Sequence, residues 1–237
     1  MKDIEKIINR EEMANIFNNI QNSYIVDSGI MPLIRSIPII GDMISSATNK
    51  AVKDFQSKKQ QELIDYILEN ETPIMSDMVN NVEFIINLSK SIDAVNRLAT
   101  NDKVKYFGNL LRNGYFREVK IEASVFEDFS NIINILSYKE IMYLSFIKRK
   151  SNNGRIGTTR EDWNDFCDKF CAEFKTNAFE VFDIFTRLKR TGFIREIYVA
   201  QEFEIINRQI QEMEIDNEGY TLNHSFEQFC DYVLNIK

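Results

Sequence analysis

Only three prolines interrupt 237 residues, and almost everywhere else apolar side chains recur every three or four positions. That pairing leaves few forced breaks and predicts long helices, because apolar residues at i, i+3, i+4 and i+7 line one face of a 3.6-residue turn. Ile and Asn are abundant but are poor intrinsic helix formers, so the prediction rests on periodicity rather than propensity. Apolar residues make up 44% of the chain, with 18 Phe and 9 Tyr, which is too rich for a disordered segment. Three cysteines cannot build a disulfide framework, and the start, MKDIEKIINREEM, carries no apolar signal core. The chain is therefore read as cytoplasmic.

The walk along the sequence predicts helices at 3–21 and from about 41 to 70. A third helix is expected to start at Thr72-Pro73 and run to about 99, with Met75, Met78, Val82, Ile85, Leu88, Ile92 and Val95 on its apolar stripe. A shorter helix follows Asn101 or Asp102, with Asn113-Gly114 read as its stop. Another spans 119–136. Ser137 and Glu140 have capping-box spacing and open a helix at 138. Thr158 and Thr159 ahead of Glu161 and Asp162 open the next, with Trp163, Phe166, Phe170 and Phe174 inward. Asn177 with Glu180 opens a third, read as burying Phe182, Phe185 and Leu188, and Gly192 caps its end. The pattern then changes: 193–199 is β-branched and aromatic, 220–222 reads as a return strand, and 223–235 as a last helix with Ser225 and Gln228 as its capping pair.

The order helix, helix, helix, strand, strand, helix over 137–237 resembles a winged-helix domain. Three pieces carry the resemblance: RLKRTGFI at 187–194, GYTL at 219–222, and a closing helix with Phe226 and Phe229. The fold class predicted is mainly α: an N-terminal helical domain at 1–136, then a winged-helix-like α+β domain at 137–237 with a short β-hairpin. The resemblance implies DNA binding, with the third helix in the major groove and the wing on phosphates.

The charges argue against that. Phosphate contacts require Lys and Arg. Residues 121–237 hold 14 basic and 20 acidic side chains, which is most of the net charge of −7. The wing, 196–218, carries Glu196, Glu202, Glu204, Glu212, Glu214, Asp216 and Glu218 against Arg208 alone. This acidic connection is read as a docking surface for another protein. One cluster points the other way: Lys148, Arg149, Lys150, Arg155 and Arg160 stand where no acid occurs between 141 and 160. They are the candidates for contact with nucleic acid or an acidic partner.

Segment 29–48 is the most apolar stretch, with only Arg35 and Asp42 charged. Two prolines and Gly41 argue against a continuous helix through it. It reads as a bent buried connector; the alternatives are membrane insertion or an oligomer contact through Ile37, Ile39 and Ile40.

Enzyme signatures fail. His224 is the single histidine, which excludes His-dependent triads and multi-His metal sites unless it serves itself. Cys167, Cys171 and Cys230 with His224 have the right types for zinc, but phenylalanines surround the first pair, and buried thiols behave as small hydrophobes. The glycines of 153–159 have neither the lysine nor the spacing of a phosphate loop. No cofactor fingerprint is present, and the chain is read as a non-enzyme.

Residues 78–147 are similar to bacterial proteins of the abortive-infection alpha type. The residues are IDAVNRLAT at 92–100, KVKYFGNLLRNG at 103–114, and FEDFSNIINILS at 126–137 followed by Glu140. The resemblance implies a role in defence against phage or mobile elements and carries over no catalytic residue. The function predicted is a non-catalytic protein-interaction or regulatory module. A DNA-binding regulator and a membrane-acting effector are the alternatives. Another protein is the expected partner, with nucleic acid, membrane and a second copy as the others.

Overall fold

Asn9 starts the first helix by accepting the amide of Glu12 at 2.9 Å, while the Glu12 carboxylate accepts the amide of Asn9 at 3.2 Å. This reciprocal cap moves the start from the expected 3 to α1, Arg10–Asp27. The computed structural model describes residues 7–27, 45–69, 74, 81–117, 120–199 and 216–236. The molecule is mainly helical with a small antiparallel sheet. It divides into two compact units, Met1–Ile135 and Leu136–Lys237.

The first unit contains α1, α2 (Ser45–Leu68), α3 (Val82–Arg97), α4 (Val104–Tyr115) and α5 (Ala123–Ile135). Its centre is α4, which packs against α2, α3 and α5. Val104, Phe107, Leu110 and Leu111 of α4 are wholly buried. A Cβ at Gly108 would overlap Tyr66 of α2, so glycine sets how closely these two helices approach. Helix α3 starts later than expected. Asn81 caps it, accepting the amide of Glu83 at 2.8 Å, and Thr72-Pro73 lies outside the described residues. The buried stripe of α3 runs through Phe84, Leu88, Ile92 and Val95, leaving Val82 exposed.

Asn113-Gly114 does not stop α4. Both residues are buried inside its last turn, which continues through Tyr115. Gly114 is there for space: a Cβ would press into the Ile121 side chain. The expectation of a positive-φ stop misread a packing glycine as a turn glycine.

The second unit begins at α6 (Tyr138–Lys150), with the Ser137–Glu140 capping box formed in full. Strand β1 (Arg155–Ile156) follows, then α7 (Arg160–Phe174), α8 (Ala178–Leu188), β2 (Ile194–Val199), β3 (Asp216–Leu222) and α9 (His224–Phe229). The sheet order is β1-β3-β2, all antiparallel. Ile156 faces Tyr220, and Ile194 faces Leu222. Strand β1 was expected as loop. It forms because β3 can approach closely at Gly219, whose φ is +117° and where a Cβ would collide with the carbonyls of Ile156 and Gly157. Asn223, rather than Ser225, caps α9 by accepting the amide of Phe226 at 2.8 Å. Phe146, Phe166, Phe170, Phe185, Phe226 and Phe229 form an aromatic core with edge-to-face contacts.

Candidate functional site

Helix α8 is the third helix of the second unit, and Val181, Ile184, Phe185 and Leu188 fix its orientation by burial. These positions are the i, i+3, i+4, i+7 stripe, so Phe182 falls one residue off it. Contrary to the expectation that Phe182 points inward, it is 48% exposed. Phe179 is 86% exposed. The two stand three residues apart on the same face. Half-buried Trp163 of α7 lies beside Phe182, the two rings 5.4 Å apart.

Glu180 and Asp183 are exposed on the same helix. The amide of Glu180 is held by the Asn177 cap at 3.1 Å, and its carboxylate accepts from Thr176 and Asn177. Across α7, the turn and α8, residues 160–188 contain seven acids and four bases. The surface that α8 presents thus sets the two rings beside Glu180 and Asp183, with Arg187 one turn after Asp183.

The cations at and just after the end of α8 are held in place by acids. Arg190 makes a two-pronged contact with Glu140, at 3.0 Å to each oxygen, and Arg187 stands 4.0 Å from the same carboxylate. Lys189 pairs with Glu196 at 2.5 Å. Glu196 therefore does not project as a bare wing charge. Of the other acidic candidates, Glu202, Glu204, Glu212 and Glu214 lie outside the described residues. Asp216 and Glu218 belong to β3.

The basic candidates separate. Lys148 pairs with Glu227, and Arg149 with Glu173 at 2.9 Å. Arg160 is exposed at the first position of α7. Lys150 and Arg155 meet at a surface groove of about 490 Å³, which Asn152, Lys169, Asp162 and Asp165 also line. Lys169 is paired with Asp165 at 2.5 Å. Hydrogen bonds from Thr158 and Thr159 hold the Asp162 carboxyl below the usual carboxylate range, so the groove retains a negative charge at neutral pH. Its lining is mixed in sign rather than uniformly positive.

Among the described residues no three His, Cys, Asp or Glu side chains group as metal ligands. Burial pushes the Cys167 thiol up to about 11 and Cys230 to about 12, and it raises Cys171 as well. These thiols stay protonated near neutral pH and are poor nucleophiles. His224 is exposed at the start of α9. Ile37, Ile39 and Ile40 lie outside the described residues, among which no helix is long and apolar enough to cross a membrane.

Sequence reasoning missed the α8 face because it counted Phe182 into the core. The signal was available: the buried stripe is complete without Phe179 and Phe182. Compared with protein-family models, with curated proteins and with solved structures, the chain shows no significant match.

Proposed function

We propose that this protein is a non-catalytic interaction module whose second unit is a winged helix turned to protein docking. The winged-helix reading is supported by the element order helix, strand, two helices and a two-strand return, and by the β1-β3-β2 sheet. Winged helices that read DNA send base contacts from the early turns of the third helix and hold phosphates with Lys and Arg.

The observation that carries the docking reading is what α8 exposes at those turns: Phe179 and Phe182, with Glu180 and Asp183 beside them. A polyanion there would meet carboxylates and desolvate two rings without any hydrogen bond to a base. An apolar patch with a polar rim is instead the composition of a protein interface core. The similarity of residues 78–147 to abortive-infection alpha proteins is the ground for placing this module in defence against phage or mobile elements.

Copurification of the tagged full-length chain from its native host, with and without nuclease, tests the proposal. A stoichiometric polypeptide that survives nuclease is the expected result. Nucleic acid alone in the purified material overturns it.

A further inference from the structure

Resting on that docking reading, we propose that the exposed face of α8 binds a basic amphipathic helix of a partner protein. Phe179 and Phe182, with Trp163 beside the latter, would take the partner's apolar anchors, and Glu180 and Asp183 would face its Lys or Arg side chains. Three observations converge on this occupant. The rings are presented by a helix whose own core stripe is complete: Phe179 stands almost wholly in solvent, and Phe182 is half exposed beside Trp163. Two large apolar residues three apart match the i, i+3, i+4 anchors of helix-in-groove recognition.

The third observation is charge. Seven acids against four bases over 160–188, with Glu180 and Asp183 next to the rings, favour a cationic partner. The same excess disfavours a second copy, which would set Glu180 and Asp183 of one chain near their equivalents on the other. It also disfavours an anionic lipid surface and a phosphate backbone for the same reason.

The chain has a single tryptophan, so Trp163 emission reports directly on this face. The probe is a synthetic Leu/Lys peptide of about 18 residues with Leu at helical spacing and no aromatic residue. A Leu/Glu peptide of the same pattern is the control. Full-length protein is titrated with each, and duplex DNA is added in a third arm. We expect a saturable Trp163 shift with Leu/Lys, none with Leu/Glu, and binding that weakens with salt.

Phe179→Asp is the decisive variant. It adds a negative charge, so attraction between a basic peptide and an acidic protein alone would tighten binding. Loss of an apolar anchor instead weakens it, by about ten-fold or more. Phe179→Ala provides the milder version, and because Phe179 packs on nothing essential, both variants should keep the wild-type unfolding midpoint.

Equal or tighter binding by Phe179→Asp, or no saturable shift with Leu/Lys, overturns the inference. Sedimentation then separates the failures. A dimer that Phe179→Asp dissociates puts a second copy on the face, which rejects the basic helix but keeps protein docking. A Trp163 response to duplex DNA rejects both.

Discussion

Glu140 performs two tasks with one carboxylate: it closes the capping box at the start of α6 and clamps Arg190 from the turn after α8. The residue is 8% exposed, so the carboxylate is largely withdrawn from water and depends on these partners. Glu140→Ala removes a cap and leaves Arg187 and Arg190 without their acid. The expected loss is about 2–3 kcal/mol in chemical denaturation. Glu140→Gln keeps an acceptor for the Ser137 amide and should lose about 1 kcal/mol less. Equal losses from the two variants would show that the cap acceptor contributes nothing and that the charged clamp carries the whole effect.

Cys230 makes a second prediction at this scale. Its thiol is raised chiefly by burial and also by Glu227 and Asp231, with Lys148 opposing them. In the unfolded chain a thiol titrates near about 8.5. Below that pH both states are protonated and the group is neutral to stability. Above it the unfolded chain ionises while the folded one does not, so stability falls as pH rises toward about 12. Cys230→Ala should flatten the alkaline side of the stability curve relative to wild type. Unchanged curvature in urea melts above about pH 9 would contradict the assignment.

At the scale of elements, cations finish the helices of the first unit. Lys59 donates to the Leu98 carbonyl at the end of α3. Lys103 donates to the carbonyls of Ile133 and Asn134 at the end of α5, at 2.8 and 3.1 Å. Arg112 donates to the Tyr66 carbonyl near the end of α2, at 3.2 Å. Each satisfies carbonyls that a helix leaves open and sits at the negative end of its dipole. Lys103→Met should cost about 1–2 kcal/mol in denaturant unfolding. A loss no larger than that of an exposed lysine such as Lys90 would refute the capping role.

Gly219 acts similarly for the sheet. With φ at +117° and β1 carbonyls against it, Gly219→Ala should cost about 2–4 kcal/mol and disrupt the β1–β3 pairing first. Amide exchange at 155–156 and 220–221 is the readout, and protection equal to wild type would contradict it.

Helix starts were legible because a cap is a local device: Ser137 with Glu140, Thr159 with Asp162 and Asn177 with Glu180 all sit within four residues. The strand after Gly192 was legible for the same reason, since composition changes abruptly there. What escaped reading was non-local. The role of Gly114 depends on Ile121 arriving against it, and the two residues of β1 depend on Thr221 and Tyr220 of β3, far along the chain. The exposure of Phe182 depends on which side of α8 the rest of the unit occupies, and a phenylalanine looks apolar wherever it points. The candidate site was legible only as a charge pattern. Its centre, the pair Phe179 and Phe182, had been assigned to the core or passed over.

For the whole molecule, each unit has its own apolar core: α4 at the centre of the first, the phenylalanine cluster in the second. A fragment spanning 136–237 should therefore fold alone, with a cooperative melt and the Trp163 emission of the full chain. The proposal as a whole depends on α8 repelling a phosphate backbone. Anisotropy of a labelled duplex DNA, titrated with the full chain at two salt concentrations, tests this most directly. The account predicts no saturable binding below about 10 µM at about 0.15 M salt. Submicromolar binding that weakens steeply with salt, and that Phe179→Asp abolishes, would contradict it.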